Sequence, residues 1–571
     1  MNQLAFIPVS EIARVSHALE TQPVLRCETL ADLFRVNALY MVRFAGSGHI
    51  GSSFSCLEIL TWLWAQEMNA PNLAGGDLCF SSKGHDAPGL YALMIGLGRL
   101  DEAYLHRLRQ LDGLPGHPDV HTPGIITNTG SLGMGISKAR GMVLADRLNG
   151  LKRNIYVLTG DGELQEGQLW ESLQPAANAN MSEITVIVDH NKIQSDLWIR
   201  NVSDLGDLEA KFRAFGWEFA RCDGHDPAAL QAVFEKFRQV TARPKILLAD
   251  TLKGKGVSFM EPHQLEDSQL YAYHSGAPAM PDYQAALEEL LARIQRKLQP
   301  LGIAPVQTTS VDCPVRPAPQ SPQSLIKAYG ETLVELAGRY EHLVALDGDL
   351  MKDTGLLPFK ERFPERFVEC GIAEQDMVSV AGGLALQGKL PVVHSFACFL
   401  STRPNEQIYN NATEGTKIIY AGSLAGLLPS GPGHSHQSVR DISLLGSIPG
   451  LKLLEPCNEH ETALALKWAV EENSDSTYLR LTSIPVDIGF ELPGQYVLEE
   501  GRGVALTTGR EAILFAYGPV MLSEAVKAAE QLRQNAIGLT VVNLPWLNRL
   551  DSEWFLDLVE PYPIIFSVDN H

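Results

Sequence analysis

Two polar clusters, Gly160-Asp161-Gly162 and Asp189-His190-Asn191, each follow a short β-branched run, residues 154–159 and 184–189. Asp161 and Asn191, 30 residues apart, offer one carboxylate and one amide oxygen, hard ligands suited to Mg²⁺ or Ca²⁺ that also holds a diphosphate. Gly160 and Gly162 let the backbone approach an anion closely. Three histidines fall in Gly-bearing loops rather than on apolar helix faces: His49 in Gly46-Ser47-Gly48-His49, His85 in Lys83-Gly84-His85, and His117 in Pro115-Gly116-His117-Pro118. Imidazoles so placed can donate to hydroxyls and phosphates and exchange protons near neutral pH. Thr129-Gly130-Ser131-Leu132-Gly133-Met134-Gly135 adds a Gly-rich turn into a helix, and Tyr273-His274-Ser275-Gly276 a fourth loop histidine. Glu374 stands at a strand-to-helix junction, where an acidic residue ordinarily complements the helix dipole or caps the first turn.

Residues 154–193, a Gly-Asp-Gly followed some thirty residues later by Asn, resemble the thiamine-diphosphate fingerprint, and within them Glu163-Leu164-Gln165-Glu166-Gly167-Gln168-Leu169-Trp170-Glu171 and Asp189-His190-Asn191-Lys192-Ile193-Gln194 resemble transketolases. The resemblance implies thiamine diphosphate and Mg²⁺ (or Ca²⁺) as cofactors, with Asp161, Asn191 and Ile193 as metal ligands. It places Gly130, Leu132, Gly160, Gly162, Glu166, Ile193 and His85 at the cofactor, Leu132 packing on the thiazolium ring. It assigns His49, His85 and His117 to diphosphate and sugar hydroxyls, and His274 to the substrate. Further on, Gly371-Ile372-Ala373-Glu374-Gln375 resembles the segment whose glutamate hydrogen-bonds the aminopyrimidine ring, and Ser395-Phe396-Ala397-Cys398-Phe399 the aromatic pair, Phe396 and Phe399, beneath that ring. Gly433-His434-Ser435-His436-Gln437 resembles the G-x-T-H-Q loop, which sets His436 over the substrate, and Tyr478-Leu479-Arg480 the arginine that binds the distal anionic end of the sugar.

The chemistry implied is transfer of a two-carbon ketol unit from a ketose donor to an aldehyde acceptor. Glu374, buried and protonated, would donate to the aminopyrimidine. His49, His85, His117, His274 and His436 would move protons during carbon–carbon cleavage, with the thiazolium as electron sink. A homodimer is implied, the metal and diphosphate on the first domain of one subunit and the pyrimidine on the second domain of its partner. Two departures bear on the substrate. Ser430-Gly431-Pro432-Gly433-His434 has no carboxylate where many transketolases read donor hydroxyl stereochemistry, and Leu350-Met351-Lys352-Asp353-Thr354-Gly355 lacks a second phosphate-binding arginine. Arg403, Arg440 and Lys352 are the candidate replacements. Gly-Ile-Ala-Glu-Gln also resembles deoxyxylulose-phosphate synthases, which join pyruvate to an aldehyde after decarboxylation, whereas Glu-Leu-Gln-Glu-Gly-Gln-Leu-Trp-Glu favours transketolase. A noncatalytic cofactor-binding subunit is the third reading, opposed by Glu374, Asp161, Asn191 and the five histidines.

For the clusters to meet, the chain must place them at one edge of a sheet. The runs at 154–159 and 184–189, separated by a helix-length stretch, have the pattern of a parallel βαβ unit, which puts both clusters at strand carboxyl ends, where open α/β sheets bind ligands. Residues 28–44 predict a helix ending at the Gly46 loop, residues 56–68 a second with Leu57, Leu60, Leu63 and Trp64 at helical spacing, and residues 246–251 another strand. Residues 300–323, rich in Pro, Gln, Ser and Thr with no hydrophobic period, predict a linker. Strand-like runs at 342–346, 366–369, 390–394 and 417–421 begin a second α/β pattern, and runs at 512–517, 539–543 and 564–568 with a helix at 522–534 a third. The expected division is 1–299, a linker, 324–497 and 498–571, three α/β domains each with a largely parallel, doubly wound sheet. The third region is short for the family's C-terminal domain, so part of its sheet is expected to be missing.

A chain of 571 residues with 45% hydrophobic content predicts several globular cores. No 18-residue apolar run occurs, and the first twenty residues lack a basic start, apolar core and small-residue cleavage site, so the expectation is cytoplasmic, with no membrane partner. A net charge of −21 with no Lys/Arg run argues against nucleic acid as a partner. An anionic sugar phosphate would have to be drawn in by a local cluster of Arg and His. The eight cysteines form no CxxC pair and read as buried free thiols.

Overall fold

The structure, a computed structural model, describes residues 3–570; residues 1, 2 and 571, outermost in the expected first and third domains, lie outside the described residues. The chain divides into two compact units, residues 1–315 with 431–435, and residues 316–430 with 436–571.

In the first unit a wholly parallel sheet runs in the order Leu78–Ser81, Ile155–Gly160, Ile184–His190, Lys245–Asp250, Glu218–Asp223. Ile155–Gly160 is buried at every position and Ile184–His190 at all but its last. That two-sided burial is why these strands read as continuous apolar runs rather than alternating ones. Because the strands share a direction, the loops after Ser81, Gly160, His190 and Asp250 all leave from the same edge. The helix expected at 28–44 is Pro23–Ala45, entered through a proline in its first turn and ended by Gly46 at φ 71°. The helix expected at 56–68 is instead Leu57–Trp62 followed by a wider turn, Leu63–Glu67, in which Met68 N–H donates to Leu63 O. That extra residue per turn accompanies burial of Trp62, Leu63 and Trp64 in succession.

The expected linker is not free of structure. Thr309–Asp312 pairs antiparallel with Gln3–Phe6, and Pro322–Gln323 with Val486–Asp487. Such strands need only backbone hydrogen bonds, so a polar, proline-rich composition does not exclude them.

The second unit holds a six-stranded parallel sheet in the order Phe367–Glu369, Leu343–Asp347, Leu390–Phe396, Ile419–Ser423, Thr477–Arg480, Lys452–Leu454. Leu390–Phe396 is buried throughout, and the helix Glu374–Leu386 packs on it. A four-stranded sheet follows, Val504–Ala505, Leu539–Asn543, Ala512–Ala516, Ile565–Ser567, antiparallel only at its first strand. Among the described residues no helix is long and apolar enough to cross a membrane.

Candidate functional site

The loops at the carboxyl edge of the first sheet converge because a few buried groups tie them. Gly51 N–H donates to Tyr273 O at 3.0 Å while its carbonyl accepts from Gly254 N–H at 2.9 Å, joining the His49, His274 and Lys253 loops. A Cβ at Gly51 would fall 2.8 Å from Tyr271 Oη and 2.9 Å from Tyr273 O, so only glycine permits this approach. Asp189, fully buried, accepts from Lys83 Nζ and from Ser55 Oγ, each at 2.6 Å, and from Thr251 Oγ1. It thereby pins the His85 and His49 segments to the ends of two central strands. Glu163 accepts from Ser82 Oγ at 2.5 Å, Gly133 N at 2.9 Å and Gly160 N at 3.2 Å. Burial pushes its pKa up against these bonds.

The result is a cluster of four imidazoles. His49 lies 5.2 Å from His274, 5.6 Å from His117 and 5.9 Å from His85, ring centre to ring centre, and His85 lies 5.9 Å from His274. His117 Nδ1 is 2.7 Å from the Pro432 carbonyl and His85 Nδ1 3.0 Å from the Lys83 carbonyl, so in each ring Nδ1 carries the proton and donates. His49 Nδ1 is buried without a partner. Burial drives the pKa of His49 and His85 well down and that of His117 to about 4. These rings are therefore neutral at physiological pH, each with one proton to give and one lone pair to receive.

Asp161 and Asn191 sit at the ends of adjacent strands, both buried. Asp161 accepts from Gly162 N at 2.9 Å and Lys192 N at 2.6 Å, and Asn191 Oδ1 accepts from Ile193 N at 3.1 Å, so each oxygen is oriented by the main chain. The Ile193 carbonyl, expected as a third metal ligand, faces the Lys253 ammonium at 3.3 Å, which also reaches Gln194 O and Ser195 O. Of the three expected ligands it is the one already turned to another cation. Among the described residues no group of three or more His, Cys, Asp or Glu is placed to hold a metal ion. The available set is thus carboxylate and amide oxygen, which fits a hard divalent ion. Gly130 and Gly133 hold positive φ, 98° and 87°, and a Cβ on Gly133 would fall 2.8 Å from Glu166 Cβ, so Gly133 and Glu166 are in contact at this edge. Leu132, between the two glycines, is half-buried, and Gly162 is buried.

In the second unit Glu374 opens the helix Glu374–Leu386 and is buried. Its Oε1 accepts from Arg403 Nη1 at 2.7 Å, and its Oε2 is buried with no partner. The Arg403 guanidinium thus orients one carboxyl oxygen of Glu374 and leaves the other open. Arg403 lies 4.4 Å above the Phe399 ring, and His436 lies 5.1 Å from Phe399 and 5.9 Å from Phe396. Glu374, Phe396, Phe399 and His436 thus come together as expected, with Arg403 as an unforeseen member. The aromatic rings, the orphaned carboxylate oxygen and the arginine behind it fit a flat, nitrogen-bearing ring.

Arg480 corrects the expectation of an anion-binding arginine. It is fully buried: Nε donates to Asp441 at 2.8 Å, Nη1 to Glu455 and to Asn570 at 2.7 Å, and Nη2 to the Ser438 carbonyl at 2.9 Å. Two carboxylates of its own chain have taken the place of a substrate anion. Lys352 and Arg440 are exposed. The cation that sequence reasoning missed is Arg109, half-buried in the first unit beside His49 and His117. No motif marks it.

Residues 27–273 match the family described as transketolase, thiamine diphosphate binding domain, residues 321–485 transketolase, pyrimidine binding domain, and residues 501–571 transketolase, C-terminal domain. The chain is 31% identical over 551 residues to Transketolase-like protein 2 of Mus musculus, spanning 94% of this chain and 86% of that one. It is 30% identical over 574 residues to the transketolase of Homo sapiens, spanning 97% and 90%. To 1-deoxy-D-xylulose-5-phosphate synthase of Treponema pallidum subsp. pallidum it is 26% identical over 604 residues, spanning 97% and 87%.

Proposed function

The chain belongs to the transketolase family, and on that premise we propose how its residues serve thiamine-diphosphate-dependent transfer of a two-carbon ketol unit from a ketose to an aldehyde. Bound thiamine diphosphate, with a divalent ion, supplies the electron sink for carbon–carbon cleavage and carries the two-carbon unit. Asp161 and Asn191 hold the ion through oriented oxygens, while Gly130, Gly160 and Gly162 leave room for the diphosphate. Glu374 meets the aminopyrimidine through Oε2, and Arg403 fixes the carboxylate from the other side. Phe396 and Phe399 supply the apolar floor. His49, His85, His117 and His274, with His436, bind sugar hydroxyls and move protons as the bond breaks and re-forms.

The observation that supports this reading most is the convergence of four loop histidines, none more than 5.9 Å from a neighbouring ring, at the strand edge that carries Asp161 and Asn191. Proton transfer to and from a polyhydroxylated substrate needs several neutral imidazoles at one place, and a structural core does not. We further take the substrates to be anionic sugars, the working unit to be a homodimer with shared sites in the cytoplasm, and the domains to divide at 300–323 and near 498.

A panel of ketose donors and aldehyde acceptors, incubated with the protein, thiamine diphosphate and Mg²⁺, tests the reading by product mass. Ketol transfer gives an aldose two carbons shorter than the donor and a ketose two carbons longer than the acceptor. Products formed only from pyruvate, with loss of carbon dioxide, would replace it with decarboxylative condensation.

A further inference from the structure

Successive side chains along a strand take opposite faces of the sheet, and the last two residues of Ile184–His190 show it. Asp189 points to the side of Lys83 and Ser55, where the histidine loops are tied. His190 takes the other face, with Leu248 on the next strand and Phe219 and Arg221 on the one beyond. Beside these four lies a cavity of about 300 Å³, bordered also by Ile199, Leu205 and the start of the helix Leu208–Ala214. One wall is the Asn191 loop: His190 Nδ1 lies 3.3 Å from Asp161 Oδ2, and Lys192, another lining residue, donates its main-chain N–H to the same oxygen at 2.6 Å.

The floor of the cavity is apolar, made by the buried side chains of Ile199, Leu205, Phe219 and Leu248. The basic side chains that line it are already matched. Lys192 and Arg221 share Asp250, at 3.0 and 2.7 Å, and Arg200 pairs with Asp267. Among the lining acids Glu209 holds Arg213 at 2.8 Å. Asp204 and Asp207 remain. Each turns one oxygen to a main-chain amide, Asp204 to Gly206 N at 3.0 Å and Asp207 to Ala210 N at 2.9 Å, and among the described residues neither forms an ion pair. The charge left over at the rim is therefore negative. It has the same sign as the net charge of −21, and both favour a positive ligand.

We infer that this cavity binds a small organic cation, a protonated amine on a one-ring apolar body, with the ammonium at Asp204 and Asp207 and the body on Leu205, Phe219 and Leu248. Pockets of about 300–1,000 Å³ with an apolar lining and a few placed polar groups hold molecules of this kind. An inorganic cation would leave the apolar floor bare. An anion would find each lining Lys and Arg already held by a carboxylate and would meet the two unpaired acids instead. The site lies on the face of the sheet opposite Asp189 and does not depend on the ketol-transfer reading.

Because one wall is the Asn191 loop, the test uses the full chain saturated with thiamine diphosphate and Mg²⁺, so that a probe cannot settle among empty diphosphate loops. Calorimetry with 2-phenylethylammonium, 2-phenylethanol and 3-phenylpropionate compares one apolar body carrying a positive, a neutral and a negative head. The wild type should bind the ammonium at least fivefold more tightly than the alcohol and at least tenfold more tightly than the carboxylate. The double variant Asp204→Asn, Asp207→Asn keeps a side-chain oxygen for each main-chain amide and so keeps the loop. It should bind the ammonium at least fivefold more weakly and the alcohol as the wild type does. Leu205→Phe, which fills the cavity from its floor, should weaken all three probes, with melting temperature as the check that each variant is folded. Equal affinity for the ammonium and the carboxylate, or unchanged ammonium affinity in the folded double variant, would overturn the site. So would ammonium binding that appears only in the cofactor-free protein, which would place the probe at the diphosphate loops.

Discussion

Arg403 holds one oxygen of the Glu374 carboxylate at 2.7 Å and leaves the other, Oε2, buried and without a partner. An unsatisfied buried acceptor costs about 1–3 kcal/mol, a cost that a ligand donor would relieve. The asymmetry gives the two oxygens separate tasks, one held for orientation and one kept for recognition. Arg403 also covers Phe399 at 4.4 Å, so the same side chain braces both the acidic and the aromatic parts of the proposed pyrimidine site.

Arg480→Met is expected to act on stability before it acts on substrate. Removing the guanidinium strands Asp441 and Glu455 in the interior, and breaking a buried pair costs about 3–5 kcal/mol. Thermal unfolding should shift downward by many degrees. A variant with wild-type melting and only a raised KM would return Arg480 to the substrate.

Asp161→Asn removes the charge and keeps only one of the two oxygens that accept from Gly162 N and Lys192 N. Affinity for thiamine diphosphate at fixed Mg²⁺ should fall at least tenfold, about 1.4 kcal/mol, and the cofactor-free protein should melt lower because one main-chain amide loses its acceptor. Calorimetry giving unchanged affinity would move the metal away from Asp161.

The loop histidines make stability fall in acid. Burial lowers the pKa of His117 to about 4, against about 6.5 in an unfolded chain. The unfolded state therefore binds the extra proton between those values. Stability is undiminished above pH 6.5 and is lost as pH drops toward 4, by about 3 kcal/mol from this group. Urea unfolding at pH 7.5, 5.5 and 4.5 should show that slope, reduced in His117→Asn. An identical slope in the variant would mean that His117 is not buried as a neutral ring.

The chain's chemistry was most legible where the local rule and the global fold agree. Ile184–His190 reads as a buried parallel strand because no position on it needs to be polar until its end, and Asn191 is found where that reading puts it. The histidines could be singled out because glycines beside them signal loops. Arg109 could not, since its position depends on a left-handed turn closed by Leu114 and on Gly431, more than 300 residues away. Arg480 was misread for a related reason. Its partners Asp441, Glu455 and Asn570 lie 39, 25 and 90 residues away, and nothing in Tyr478-Leu479-Arg480 announces them. The paired strand Thr309–Asp312 was hidden by a composition typical of linkers.

The central claim is that Glu374 activates bound thiamine diphosphate, and hydrogen–deuterium exchange at the thiazolium carbon, followed by NMR in the presence of Mg²⁺, tests it most directly. The wild type should accelerate exchange far above the free cofactor. Glu374→Gln, which keeps the side-chain shape, should bind the cofactor but lose the acceleration by about 10²-fold or more, the scale of removing a positioned acid–base group. Equal exchange rates in the two proteins, or no acceleration by the wild type, would contradict the account.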